Sequence, residues 1–163
     1  MSERTLNDPV FGAIVGEDGY WEKQDLVPFL GYDVDVSITC GSAAEPDDAQ
    51  RARFLQFLEK RDQLKAELEE AIFNYYQEVY ENYQVIWDEV DENAAEKNAP
   101  TLTSSEAIWT LIEPSAIGVL PQDPTSVGDS DADFDIQWGT SWDVEHSLLV
   151  SFQDWKILSV ELY

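Results

Sequence analysis

One short segment near the C-terminus gathers side chains that could carry out chemistry. Trp142-Asp143-Val144-Glu145-His146-Ser147-Leu148 places two carboxylates beside the only histidine of the chain. Carboxylates and imidazoles bind metal ions and transfer protons. In an extended strand, however, Asp143 and Glu145 would point to one face and His146 to the other, so three ligands would need a bulge or a turn. We favour a structural role, in which the carboxylates accept backbone or Trp N–H groups and one of them fixes His146.

A second group of candidate residues is aromatic and lies on a predicted helix. Four of them share one face at helical spacing, and a fifth, Tyr75, lies to one side; the four are Tyr76, Tyr80, Tyr83 and Trp87. The spacing favours packing of this face against a sheet. The alternative is an exposed aromatic ridge to which Tyr75 contributes, because Tyr and Trp are favoured in protein interfaces. The candidate binding residues are therefore Trp142, Asp143, Glu145, His146, Tyr75, Tyr76, Tyr80 and Tyr83.

No motif of high specificity for catalysis is present. The sequence has no Gly-rich phosphate loop, no Gly-x-Ser-x-Gly elbow and no Cys–His pair. Cys40 is the only cysteine, which excludes an internal disulfide and a zinc site built on cysteines. The acidic run at residues 129–133 lacks the Gly and the distal Glu of an EF-hand loop. We therefore assign no catalytic residue, no metal ion and no cofactor.

The charge of the chain restricts its partners. There are 34 Asp and Glu against nine Lys and Arg, a formal net charge of −25. Binding to DNA or RNA requires cations against phosphate, so direct nucleic-acid binding is disfavoured, and an anionic membrane surface would repel the chain. No apolar stretch approaches the ~18 residues of a membrane span, and the first residues lack an apolar signal segment, which predicts a cytoplasmic protein. A basic protein partner fits the charge; solubility or adaptation to salt explains it equally well.

The two ends of the chain predict strands. Residues 10–15 form an apolar run, residues 16–19 a turn with two glycines able to take positive φ, and residues 20–23 a returning strand. Residues 32–40 alternate between apolar and polar side chains, which is typical of a strand with one buried face. Near the C-terminus the apolar members of three further strands are Phe134, Ile136 and Trp138, then Leu148, Val150 and Phe152, then Ile157, Leu158 and Val160, with a hairpin turn at Gln153-Asp154.

The middle of the chain predicts helices. Residues 48–91 contain no Gly or Pro, and one helix of ~44 residues would be ~66 Å long, too long for a domain of this size. We therefore predict a break near Arg61, with Asp62 capping a long second helix. We expect a loop over residues 92–103, a short helix from Thr103 or Ser104 through Leu111, a short strand over residues 117–120 and a mobile loop over residues 121–133.

Strands, then helices, then strands indicate a single domain over residues 1–163 with an α+β fold. We expect an antiparallel sheet formed by the N- and C-terminal strands and packed against the long central helix and shorter helices. A chain of 163 residues is close to the size of one domain.

The C-terminal segment carries a resemblance to a family. With Gly12, Trp21, the strand ending at Cys40 and the predicted helices, it resembles an uncharacterised bacterial family whose signature, Trp-Asp-x-Glu-His-Gly-Leu, lies in a C-terminal hairpin. Here Ser147 occupies the position of the family's Gly. The resemblance implies an α+β fold and supplies no activity; small acidic domains of this sort are similar to immunity or accessory proteins.

Three functions remain open from the sequence. The first is a non-enzymatic acidic domain that docks a basic protein partner, as an immunity or accessory protein would, because high charge with many aromatics suits fast, steered association. The second is a carboxylate- and His-based metal-dependent hydrolase at Asp143, Glu145 and His146. The third is a structural domain with no specific ligand. The oligomeric state is left open.

Overall fold

The computed structural model describes residues 3–40, 45–121 and 131–163. Within these ranges nine strands form one sheet, in the order β1-β2-β3-β5-β6-β7-β8-β9, and β4 pairs with β5 beside this path. The strands are β1 Arg4–Asp8, β2 Gly12–Glu17, β3 Tyr20–Lys23, β4 Val27–Phe29, β5 Tyr32–Thr39, β6 Ile112–Val119, β7 Phe134–Thr140, β8 Leu148–Gln153 and β9 Lys156–Leu162. The predicted α+β fold with a sheet built from both ends of the chain is confirmed.

One pair of strands departs from the antiparallel arrangement. β5 and β6 run parallel, with Asp35 opposite Ala116 and Ile38 opposite Val119, whereas every other pair is antiparallel. The predicted antiparallel sheet is therefore confirmed for most of its strand pairs, and this one pair is the exception. The reason is topological: the helical middle of the chain crosses over one face of the sheet between β5 and β6, and such a crossover returns the chain in the same direction.

The N-terminal strands differ from the prediction in their bounds. β1 was not predicted, because its alternating residues are mostly polar and exposed at the sheet edge. The apolar run begins in a turn instead of a strand: Oδ1 of Asp8 accepts the backbone N–H groups of Val10 and Phe11, and the Phe11 side chain is fully buried. In the following hairpin Asp18 and Gly19 take positive φ, so one of the two residues is Asp and not Gly as expected.

The helices are α1 Asp48–Lys60, α2 Leu64–Asp88 and α3 Ala94–Asn98, with a 3₁₀ helix at Ser105–Thr110. The break near Arg61 is confirmed. Asp62 is not the cap of α2; Gln63 occupies that position without a side-chain hydrogen bond. Asp47 does cap α1, in a capping box with Gln50. No described helix is both long enough and apolar enough to cross a membrane.

The segment between α2 and β7 contains more regular structure than the sequence indicated. α3 lies inside the predicted loop over residues 92–103. β6 starts at Ile112 and includes Pro114, beside which the pairing with β7 shifts register, so the strand is longer than the predicted residues 117–120. Of the loop predicted over residues 121–133, residues 122–130 lie outside the described part. Its last residue, Asp133, is buried and bonded to backbone groups of the sheet.

The helices cover one face of the sheet. Phe57 of α1 packs on Phe29 and Phe134, with ring centroids 5.3 and 5.1 Å apart. The buried residues of α2 lie at helical spacing along its first half: Leu64, Leu68, Ile72 and Tyr76. Cys40 is buried as predicted, and burial raises the pKa of its thiol to about 11. The predicted packing of the long helix on the sheet is confirmed.

A buried ion pair joins α1 to Asp133, directly before β7 and next to the turn between β8 and β9. Nη2 of Arg53 lies 3.0 Å from Oδ2 of Asp133, and both side chains are about nine-tenths buried. The same carboxylate oxygen accepts the backbone N–H of Asp154. Asp154 and Trp155 both take positive φ in the tight turn between β8 and β9. The predicted turn is thus confirmed, and Leu158, an apolar member of the last predicted strand, is exposed at a register shift in β9.

Candidate binding surfaces

The segment from Trp142 to Ser147 lies in the loop between β7 and β8. It is not an extended strand, so the expected alternation of Asp143 and Glu145 against His146 does not apply. Oδ1 of Asp143 accepts the backbone N–H groups of Glu145 and His146, both at 3.1 Å, and closes a turn. Nδ1 of His146 lies 3.0 Å from the same oxygen. For Asp143 and His146 this is the arrangement that the structural interpretation predicted.

Asp143 receives a further bond from the long helix. The Tyr83 hydroxyl donates to Oδ2 of Asp143 over 2.7 Å. Burial by itself would raise the pKa of this carboxyl, but the hydrogen bonds from Tyr83, His146 and two backbone N–H groups hold it below its usual value. In turn, burial and the bond to the Asp143 carboxylate raise the pKa of Tyr83 well above that of an ordinary tyrosine. Asp143 is therefore held as a charged carboxylate, and Tyr83 is the neutral phenol that donates to it.

The Trp142 side chain fills the space beneath this turn. Its ring is buried and packs on the ring of Tyr76, with centroids 4.8 Å apart, and Tyr76 stacks on Tyr80 at 5.4 Å. Nε1 of Trp87 donates to the backbone oxygen of Trp142 over 2.9 Å. The aromatic face of α2 and the Trp142 loop, which the sequence presented as separate candidates, thus form one cluster.

This cluster leaves little of the predicted aromatic ridge exposed. Tyr76 is fully buried, and Tyr75, Tyr80 and Tyr83 are partly buried against the core. The favoured interpretation, in which this face packs into the core, therefore fits these positions better than the alternative of an exposed ridge. The loop itself ends in an exposed tip made of Val144, Glu145 and His146.

The Trp142 loop does not offer a ready metal site. Within residues 3–40, 45–121 and 131–163, no three His, Cys, Asp or Glu side chains converge to hold a metal ion. The two oxygens of Asp143 already accept from Tyr83, from His146 and from backbone N–H groups. The exposed Glu145 carboxylate has no described neighbour that would complete a ligand set.

A different surface, missed from the sequence, lies on the face of the sheet opposite the helices. It contains a groove of about 270 Å³ that crosses β3, β5, β6 and β7. Its polar side chains alternate with the buried residues of the same strands and thus point away from the core. The groove is lined by Tyr20, Glu22, Asp35, Val36, Ser37, Ala116, Ile117, Asp135 and Gln137. None of these nine residues is basic.

Asp135 is the most perturbed carboxyl of this groove. Burial raises its pKa to about 6, although the backbone N–H of Gly118 donates to it and lowers the pKa in part. A Cβ at position 118 would lie 2.4 Å from Oδ1 of Asp135, so any other residue there would force this carboxylate to shift. Glycine therefore allows the carboxylate to lie against the neighbouring strand.

Tyr163 lies next to this groove. Its hydroxyl, directly after β9, accepts a hydrogen bond from Nε2 of Gln137 on β7. Burial raises the pKa of Tyr20 in the groove lining, with smaller contributions from Glu22 and Tyr163. Tyr163 therefore adds a second phenol group to the surroundings of the groove.

The sequence contained only part of the signal for this groove. Asp35 and Ser37 were predicted to lie on the wet face of a strand, and Asp135 and Gln137 alternate with core residues of β7. Their position over one groove depends on the parallel pairing of β5 with β6, which no local pattern predicts.

Comparison with known proteins gives a family and nothing more specific. Residues 10–163 match the sequence model of a family described as Domain of unknown function (DUF6985). No curated protein and no solved structure matches the chain.

Proposed function

The chain belongs to the family described as Domain of unknown function (DUF6985), and from that premise we propose that it is a non-enzymatic binding domain that docks a basic protein partner. One observation carries the proposal: the helix-free face of the sheet holds a groove whose lining includes three carboxylates and no cation. A net charge of −25 adds a long-range field that attracts a basic partner from solution.

The distribution of cations supports this choice of face. Arg51, Arg53 and Lys60 lie on α1, Lys65 on α2 and Lys97 on α3, all in the helical layer. Arg51 and Arg53 are paired with Asp8 and Asp133. Arg4, Lys23 and Lys156 lie on strands, but none of the nine cations lines the groove, so its carboxylates have no cation within the groove itself.

The Trp142 loop has a supporting part in this proposal. Trp142, Asp143 and the tyrosines hold the loop, while Glu145 and His146 are exposed and available to a partner. We propose that residues 142–148 are the signature of a bacterial family. We also propose that the partner relationship is that of an immunity or accessory protein, that the protein acts in the cytoplasm and that it does not bind nucleic acid directly.

The test is to find the partner and then reconstitute the pair. Tagged protein is isolated from its source cells, stoichiometric partners are identified by mass spectrometry, and the two purified proteins are mixed in a calorimeter. We expect a 1:1 complex with a basic protein, with Kd weakening at least tenfold between about 0.05 and 0.5 M sodium chloride as the charges are screened. A neutral or acidic partner with salt-independent Kd, or no stoichiometric partner, would contradict the proposal.

A further inference from the structure

The groove on the open face has a shape and a chemistry that suit one kind of side chain. Its volume of about 270 Å³ is smaller than the pockets that enclose drug-sized ligands, so a single long side chain fills it better than a whole small molecule. It is open along the sheet face, which allows a polypeptide to lie outside while one side chain enters.

The carboxylates of the groove lack internal cations. Among the described residues, no Lys or Arg forms an ion pair with Glu22, Asp35 or Asp135. The described partner of Asp135 is one backbone N–H, from Gly118, whereas a carboxylate can accept about four hydrogen bonds. A partly buried carboxylate in this state gains from a cation that brings several donors.

The phenol groups near the groove indicate which basic side chain, arginine or lysine, fits it better. Tyr20 lines the groove, and Tyr163 reaches Gln137 within its lining. A guanidinium is planar, stacks on aromatic rings and donates two parallel bonds to a carboxylate, whereas an ammonium is a strongly hydrated point charge. The combination of a carboxylate with nearby phenol rings therefore favours arginine over lysine.

We infer that the groove receives an arginine side chain of the basic partner, with its guanidinium paired to the Asp135 carboxylate and lying beside Tyr20 and Tyr163; this rests on the proposed function and names its contact site. Ser37 and Gln137 supply further polar atoms at the walls. Gly118 keeps the position of Asp135 in place, since any larger residue would displace the carboxylate.

The test uses a probe that does not depend on the natural partner. A blocked pentapeptide with one central arginine among glycines, and its lysine counterpart, are titrated into ¹⁵N-labelled protein and followed by amide shifts. We expect the shifts to cluster at Ser37, Gly118, Asp135 and Gln137, with the lysine peptide binding several-fold more weakly. Shifts scattered over the acidic surface, or equal binding of both peptides, would overturn the inference.

Two variants that each remove one negative charge test whether the arginine peptide binds at Asp135. Asp135→Asn should weaken arginine-peptide binding at least fivefold, because it removes the charge but keeps the shape. Glu67→Gln, at an exposed position of α2, should leave binding within about twofold. Equal effects of the two variants would overturn the groove as the site. Thermal unfolding of each variant verifies that both proteins are folded.

The same variants separate this inference from the proposed function. If a basic partner binds Asp135→Asn as tightly as the unmodified protein, the proposed function stands and the groove is not its site. If the peptide binds in the groove but no basic protein forms a stoichiometric complex, the proposed function fails, and with it the assignment of the arginine to a protein partner.

Discussion

The Tyr83 hydroxyl donates to Oδ2 of Asp143 over 2.7 Å and thereby joins the long helix to the loop between β7 and β8. The two residues are 60 positions apart in sequence, and the loop has no regular structure of its own. Its shape therefore depends on this bond, on the buried Trp142 ring and on the bonds within the Asp143 turn. The exposed tip at Glu145 and His146 is presented on a rigid support.

Removing the Tyr83 hydroxyl should make the charged form of Asp143 less stable. In Tyr83→Phe we expect a loss of about 1–3 kcal/mol in the free energy of unfolding at neutral pH, since hydrogen bonds to charged groups are worth about that much. The pKa of Asp143, now below its usual value, should rise. The stabilisation is present above the unfolded-state pKa and is lost as the pH falls through the lower folded-state pKa. Carboxyl NMR titration and urea unfolding measure the two effects, and an unchanged Asp143 pKa would contradict the assignment.

His146 should contribute little by itself. Its side chain is 54% exposed, and its described side-chain partner is Asp143. Replacing it by Gln should change the free energy of unfolding by less than about 1 kcal/mol, because exposed pairs are weak. We expect local structural changes to exceed any effect on activity. A folded His146→Gln protein that loses a measured catalytic rate a hundredfold would favour the hydrolase alternative instead.

The buried pair between Arg53 of α1 and Asp133, before β7, should be far more costly to break. Arg53→Ala leaves the Asp133 carboxylate buried without its cation, which typically costs about 3–5 kcal/mol. Arg4→Ala is the matched control, because Arg4 and Glu45 form a pair in which both side chains are about half exposed. The control should lose about 1 kcal/mol or less. Equal losses in urea unfolding would show that Asp133 is neutralised in another way.

Asp135 should make the protein less stable at neutral pH than it would be with a neutral side chain there. Its folded-state pKa of about 6 lies above the 3.8 of an ordinary Asp carboxyl, so the folded state binds the proton more tightly. The resulting cost is full above about pH 6 and disappears as the pH falls toward about 4. Asp135→Asn should therefore be more stable by about 1–3 kcal/mol at neutral pH and equal to the unmodified protein near pH 4. A difference that does not vary with pH would contradict this account.

Salt should stabilise the protein. With 34 acidic and nine basic residues, most carboxylates have no cation to pair with. Screening reduces their repulsion more in the folded state, where the charges are concentrated, than in the expanded chain. The melting temperature should rise between low salt and about 0.5 M sodium chloride. A melting temperature that does not respond to salt would mean that local hydrogen bonds or bound cations compensate the carboxylates.

Much of the fold follows from local patterns. The alternating residues of β5 give this strand one apolar face. The helical spacing of Leu64, Leu68 and Ile72 gives α2 another. Both faces are buried if the helix lies on the sheet. The parts that were missed depend on more distant contacts. β6 contains Pro114 and Gly118, which disfavour a strand by local propensity, yet it pairs along its length with β7.

In the candidate sites, too, the contacts between residues close in sequence were predicted and the contacts between distant segments were not. A carboxylate of the same segment was expected to fix His146, and Asp143 is that carboxylate. Their connection to Tyr83 and the burial of Trp142 against Tyr76 come from packing between distant segments. The groove at Asp135 depends on strand order, for which the sequence of any single strand carries no signal.

The parallel pairing of β5 and β6 has a consequence for how the chain folds. Strands β1 to β5 are neighbours in sequence, as are β6 to β9, so each half of the sheet can form from short-range contacts. The seam between Asp35 and Ala116 closes a loop of about 80 residues, which costs about 4 kcal/mol of chain entropy before any contact compensates it. Contacts of this range slow folding, so docking of the two halves across β5 and β6 should limit the folding rate. Mutations in this seam should then slow folding, whereas those in the outer hairpins should mainly speed unfolding.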